Sequence, residues 1–340
     1  MTERKLASLR QVSAIVPIPD ADRIEVAVVD GWNCVVKKGE FRKGDFAFYF
    51  EIDSALPVDS PYFEFLAPSG VKKIEGKDYH VLRTRKLRGV YSQGLLLPTE
   101  DIPDWEKLIM YGERDLSDDF GVIKWEPPIP AELSGDVVGH FPTDWVHKTD
   151  AERVQNLTEV YHVLKDATEW YATEKVDGTS TTYIMDSTGL RVCSRNLELK
   201  PNPDLTQMKV AEEIGLDQLE EGFVVQGELY GEGIQRNPLQ IKGQRLAIFN
   251  VFKGRNTPPL PREEWPEFLI PYAVPILDLK LPETVAEAVD QVDGLTSQIA
   301  AQRPAEGVVW HSVKGTSFSA LGGRACFKAI NNKYLSKQKD

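Results

Sequence analysis

The sequence predicts an α+β protein of two domains, an all-β barrel followed by a larger domain of antiparallel sheet and helices. Three observations carry this. The chain has 340 residues, which suits two domains of ordinary size. Short β-rich runs separated by turn signals fill the first hundred residues. Strand-like and helical patterns then mix, without a repeat of fixed period, from about residue 141 onward.

In the first domain, residues 26–29 and 46–50 are β-rich runs. Residues 17–22, Asp30-Gly31, Lys38-Gly39 and 43–45 supply the turns around them. Asp30-Gly31 between apolar runs is a hairpin signal. Strands this short at this spacing suggest a small barrel such as an OB-fold. Residues 99–150 contain Pro103, Pro127, Pro128, Pro130 and Pro142, which oppose long helices. They read as an irregular connector with one short helix at 105–111. These patterns set domain limits of 1–140 and 141–340. In the second domain, residues 163–170 lead into a strand at 171–175. Residues 181–185, 223–229, 246–252 and 307–310 are further strands. Residues 205–219 and 284–301 are expected helices, the latter with Val285, Ala288, Val289 and Val292 on one face.

Composition narrows the function classes. Hydrophobic residues make up 41% and charged residues 27%, as in a soluble globular chain. No run of about eighteen apolar residues is present, and the first five residues lack a secretory apolar core. Cys34, Cys193 and Cys326 are far apart, which reads as reduced thiols in a cytoplasmic protein. A net charge of −12 argues against a protein that coats nucleic acid, but not against a local basic groove.

The motif that carries most information is Lys175-Val176-Asp177-Gly178, an amine beside a carboxylate at a turn. Alone it also reads as an ordinary β-turn with a solvated lysine. Downstream, in order, come residues 193–196 with Arg195, 225–231 with Glu228, 247–251 with Phe249, 305–310 with Glu306, and 327–334 with Lys328. This ordered set resembles the nucleotidyltransferase motifs shared by ATP-dependent ligases and mRNA capping enzymes. It implies an antiparallel-sheet, ATP-grasp-like ligase domain.

The chemistry explains the residue types. A lysine amine can hold AMP as a labile phosphoramidate. Its ordinary pKa is about 10.4, so the site must favour the neutral amine. Divalent metal, Mg2+ or Mn2+, and further lysines would do this and neutralise the α-phosphate. The resemblance makes Lys175 the nucleophile and Lys328 an α-phosphate contact. Glu306 becomes the metal-organising acid, with Asp177 near the ribose or a metal-bound water. Gly178 shapes the turn, and Glu174, beside the nucleophile, joins the nucleotide-binding set. Arg195 is implied to contact phosphate or nucleic acid, and Glu228 the ribose. Phe249 is implied to stack on adenine, although plain core packing is the alternative. Arg153 reads equally as a phosphate contact or a helix-surface residue. There is one departure from the pattern: where many relatives carry a second lysine two residues after the first, this chain has Ile330. Lys333 is a possible substitute.

The N-terminal module has a resemblance of its own. Residues 19–24 and 86–95 resemble the tRNA-binding OB module found beside some tRNA synthetases. Arg83, Arg85, Lys86 and Arg88 form a basic strip in an acidic chain, suited to a phosphate backbone. A solvated β-edge is the alternative reading. An OB module placed before the nucleotidyltransferase domain resembles RNA ligase family five, as do residues 141–150 at the junction. DNA ligases and capping enzymes place their OB domain after it, and only a dozen residues lie beyond Lys328 here. The family implies an ATP-dependent, monomeric enzyme with no membrane partner. It would seal 3′-OH/5′-phosphate RNA ends, at duplex nicks with RNA on the 3′-OH side, through lysyl-AMP and RNA-adenylate. A GTP-dependent guanylyltransferase, a DNA ligase and a non-catalytic RNA-binding protein are the alternatives.

Overall fold

The computed structural model describes residues 5–109, 115–125 and 137–335. The chain divides into two compact units, one reaching to Pro128 and the other running from Ile129 to Leu335.

In the first unit, one antiparallel sheet has the strand order Leu95–Pro98, Phe46–Phe50, Ala7–Pro17, Ile24–Val29, Trp32–Lys37. Asp30 and Gly31 form the two-residue loop expected of them, with Asp30 at φ +50°. The register of Ala7–Pro17 slips between Val12 and Ala14, a bulge that lets this long strand bend. The sheet's ends meet: Gln93 N–H donates to the Asn33 carbonyl at 2.7 Å, and Val35 N–H to the Ser92 hydroxyl at 2.9 Å. From Ala47 to Phe50 this apolar strand is buried on both faces, while Phe46 at its start is exposed. Ala47 and Tyr49 pack with Trp32, Val29 and Ile52, whereas Phe48 and Phe50 pack with Phe63 and Phe120. The result is the small closed β-module that the spacing of short strands predicts.

The second unit holds two sheets. The first is antiparallel, ordered Val137–His140, Leu197–Leu199, Gly189–Cys193, Thr179–Asp186, Phe223–Gly231, Gln244–Lys253. The other is ordered Glu152–Arg153, Cys326–Ile330, Gly307–Ser312, Trp170–Lys175, Ile276–Leu277. Its pairing of Glu152–Arg153 with Cys326–Ile330 is parallel, so the second sheet is mixed rather than wholly antiparallel. One face of each sheet is covered by helix. Tyr183, Val225 and Ile248 pack with Val210 and Ile214, and Ala172, Val308, Trp310 and Phe327 pack with Tyr161, Leu164, Val285, Ala288 and Val292.

Two helices are shorter than their patterns predict. The helix expected at 205–219 is Thr206–Ile214, because Gly215 turns left-handed at φ +81° and its N–H caps the Ala211 and Glu212 carbonyls. The helix expected at 284–301 is Val285–Val292. It starts at a Thr284/Glu287 capping box and stops at Asp293, whose N–H turns back to Asp290. Residues 105–109 are helical as expected; residues 110 and 111, and Pro127, Pro128 and Pro130, lie outside the described residues. No helix among the described residues is long and apolar enough to cross a membrane.

Trp310 is fully buried under two helices. Trp310→Ala should cost about 3–5 kcal/mol. That loss would be read as an earlier urea midpoint for the second unit, with Trp310→Phe much milder.

Candidate active site

Lys175 ends the strand Trp170–Lys175, and Glu306 immediately precedes Gly307–Ser312. The two strands pair with Lys175 opposite Gly307. This register puts Lys175 Nζ 2.6 Å from Glu306 Oε2. Lys328, on the next strand, stands opposite Val309, which in turn stands opposite Thr173. Cross-strand partners share a face, so Lys328 lies on the Lys175 side of the sheet. Arg153 is buried on its short strand beside Lys328 rather than set on a helix surface.

Glu228 comes from the other sheet, opposite Ser180. The turn after the nucleophile is pressed against its strand. A Cβ on Gly178 would lie 2.2 Å from the Leu229 carbonyl oxygen and 3.1 Å from the Glu228 side chain, so only glycine permits this approach. Asp177 accepts a hydrogen bond from the Tyr334 hydroxyl.

These groups set one another's charge. Burial alone would lower the Lys175 pKa, but the carboxylates of Glu306, Glu228 and Asp177 outweigh it and hold the ammonium above its usual value. Burial pushes Glu228 up to about 8; the Lys175 charge opposes this, and Glu306 and Asp177 add to it. Glu306 is also raised, first by burial, against the pull of Lys175. Three carboxyl groups thus surround the Lys175 ammonium, with the charges of Lys328 and Arg195 also acting on Glu306 and Glu228 respectively.

Among the described residues, no three His, Cys, Asp or Glu side chains form a ready-made metal cage. Glu306 and Asp177 instead fit a hard cation that takes one or two carboxylates and completes its shell with phosphate oxygens and water.

A cavity of about 590 Å³ is lined by Phe249 and Gln226 from one sheet and Tyr171 and His311 from the other. Gln226 precedes Glu228 by two residues on a strand, and Tyr171 precedes Lys175 by four. They therefore line the same faces, one or two side-chain steps along. Burial, then the Arg262 charge, pushes His311 down to about 3, so the ring is neutral. Its Nε2 lies 3.0 Å from the Thr173 hydroxyl. Phe249 lines the cavity while its other contacts are Val176, Tyr230 and Val274, so wall and core packing coexist.

The chain matches two family models: an OB-fold domain over residues 6–99 and RNA ligase over residues 168–330. No curated protein matches it. Among solved structures, an apo mutant of Naegleria gruberi RNA ligase is 37% identical, with a TM-score of 0.86 and 100% of both chains covered. The chain belongs to the RNA ligase family. The same Naegleria enzyme with pyrophosphate is 37% identical, covers 99% of this chain and 100% of that one, and gives a TM-score of 0.85. A mutant with AMP and manganese is 36% identical, covers 98% and 99%, and also gives 0.85.

Other expected site residues of this RNA ligase are placed differently. Glu174 stands on the opposite strand face from Lys175, fully engaged by the Ser297 hydroxyl and the Gln298 N–H at 2.7 Å. Burial raises its pKa, with those hydrogen bonds opposing. Arg195 pairs with Asp150 at 2.6 Å, and Lys148 donates to the neighbouring Asn196 at 2.9 Å. Residues 148–150 thereby bracket the Arg195 turn. Lys333 pairs with Asp293 at 3.4 Å, and Ile330 is buried opposite Gly307.

The basic strip belongs to the first unit. Arg85 and Lys86 are exposed on Arg85–Leu87, which pairs with Val90–Ser92, and Arg88 is exposed in the turn. Arg83 is committed locally, its guanidinium 4.2 Å over Trp125 and 3.8 Å from Asp53. Sequence spacing carries no signal for Tyr334, Asn331 or Ser297, whose partners lie more than twenty residues away.

The raised Glu228 has a stability consequence. A carboxyl whose folded pKa exceeds its unfolded value stabilises the fold when protonated, and that stability is lost as pH rises toward about 8. Glu228→Gln should therefore raise the thermal midpoint of the nucleotide-free protein more at pH 9 than at pH 5. An equal shift at both values would contradict the assignment.

Proposed function

We propose that this RNA ligase uses ATP to seal 3′-OH/5′-phosphate RNA ends, at nicks in duplexes, through lysyl-AMP and RNA-adenylate. The observation that supports it best is the Lys175 amine, held 2.6 Å from Glu306 among Glu228, Asp177 and Lys328, on sheet faces that line a cavity of about 590 Å³ further along.

Lys175 Nζ, once deprotonated, attacks the α-phosphorus of ATP; the N–P bond forms as the P–O bond to pyrophosphate breaks. Lys328 and Arg153, side by side, supply positive charge to the phosphates. Glu228 accepts from the ribose hydroxyls, and Phe249 gives the adenine a stacking face. Glu306 and Asp177 hold the divalent cation. When bound, that ion offsets the carboxylates around Lys175 and polarises the α-phosphate, which favours the neutral amine. The AMP then passes to an RNA 5′-phosphate, and the 3′-OH displaces it. Arg195 lies on the rim, where either a phosphate or the RNA can replace Asp150. Arg85, Lys86 and Arg88 track the RNA backbone, with Arg83 bracing the strip's base.

Incubation with α-labelled ATP and magnesium should leave label on the denatured wild-type protein and none on Lys175→Ala. Label on the variant would mean another nucleophile; label from α-labelled GTP would favour capping chemistry. Sealing of all-DNA nicks would favour a DNA ligase, and no label with any nucleotide a non-catalytic RNA binder.

Arg85→Ala combined with Arg88→Ala should weaken sealing of nicked RNA at least ten-fold and spare lysine adenylylation. Equal loss of both activities would make the strip structural.

A further inference from the structure

The segment after Lys328 reaches back into the catalytic cluster by two routes. Tyr334, in the short helix Asn332–Leu335, is buried, and its hydroxyl donates to Asp177 Oδ2. Asn331, fully buried, fixes that helix: its Oδ1 accepts from the Lys333 N–H at 3.0 Å and the Tyr334 N–H at 3.3 Å. The same Asn331 donates from its backbone N–H to the Glu306 carbonyl at 2.8 Å, and from Nδ2 to the Ala305 carbonyl at 3.0 Å. One short stretch therefore contacts two of the three carboxylate-bearing positions around Lys175, Asp177 and Glu306.

We propose that Tyr334 is a positioning residue for Asp177. Its hydroxyl holds one carboxylate oxygen and leaves the other for the nucleotide–metal complex, and Asn331 ties this hold to the Glu306 strand. Asp177 lies in a turn, two residues beyond the end of its strand. A carboxylate there samples several rotamers unless something holds it. The hydroxyl is a neutral donor, so it orients Asp177 without cancelling the charge a cation needs. Removing only the oxygen tests this with little change in packing.

The inference rests on the adenylylation assigned above, so wild-type protein is run alongside. Tyr334→Phe should keep the thermal midpoint of the nucleotide-free protein within about 2 °C. It should slow single-turnover adenylylation of Lys175 about five-fold or more at saturating ATP and metal. Placed in the unreactive Lys175→Met protein, it should weaken ATP binding in the presence of Mn2+ about three-fold or more by calorimetry. A wild-type adenylylation rate, unchanged binding in the Lys175→Met background, or a large fall in thermal midpoint would each overturn the positioning role. Absence of adenylylation in the wild type refutes the assigned reaction instead, and the calorimetric comparison still decides whether Tyr334 acts on Asp177.

Discussion

The Lys175 ammonium, set among the carboxyl groups of Glu306, Glu228 and Asp177, is the constraint on which the second unit depends. Lys175 must sit near Glu306, Glu228 and Asp177 for the site to gather a cation, yet those charges keep the amine protonated and inert. The resting site is therefore protected from wasteful reaction by the groups that later support it. Opposite-charge pairs a few ångströms apart in a partly dry site interact by several kcal/mol at an effective dielectric of about 20. Adding a cation or a polyphosphate to such a cluster therefore shifts its protonation equilibria.

The two sheets exist to satisfy this geometry. Lys175, Glu306 and Lys328 come from neighbouring strands whose register is secured by helices packed on the far face. A slip of one residue would turn Lys175 away and bring Glu174 into the cavity. The Glu174 side chain guards against this. It is buried on the helix-covered side and hydrogen-bonded to Ser297 and Gln298. Consecutive residues Glu174 and Lys175 thus point to opposite faces, one side chain tied to Ser297 and Gln298 and the other set beside Glu306.

Much of this was legible in the sequence. The ordered motifs singled out Lys175, Glu228, Glu306 and Lys328; Lys175 and Lys328 share a sheet face, and Glu306 and Glu228 act on the Lys175 charge. Strand runs such as 46–50 and 223–229 were visible because β-branched and aromatic residues cluster there. Helix ends were less visible. The periodicity past Val292 persisted in the sequence, while the chain turned off at Asp293 for local hydrogen-bonding reasons. Arg153 was ambiguous because a strand of two residues has no periodicity to read; only its parallel pairing beside Lys328 settles its location. Glu174 and Tyr334 were illegible for a different reason. Their roles lie in contacts across more than a hundred residues, and no spacing rule encodes those.

Ile330 shows how the cluster keeps its charge imbalance. It shares a sheet face with Lys175 and Lys328, since it stands opposite Gly307, and it is buried. The lysine that many relatives carry at this position would place a further positive charge on the same sheet face as Lys328. Lys333, the other lysine of this segment, lies 3.4 Å from Asp293. Past Ile330, the groups that grip the cluster are uncharged: the Asn331 amide and the Tyr334 hydroxyl hold the Glu306 backbone and the Asp177 carboxylate through neutral donors. Neutral donors orient a carboxylate while leaving most of its charge in place, whereas an ion pair would both orient and neutralise it. Specifying position with neutral groups and leaving neutralisation to the substrate complex lets one small site be rigid beforehand and still electrostatically incomplete.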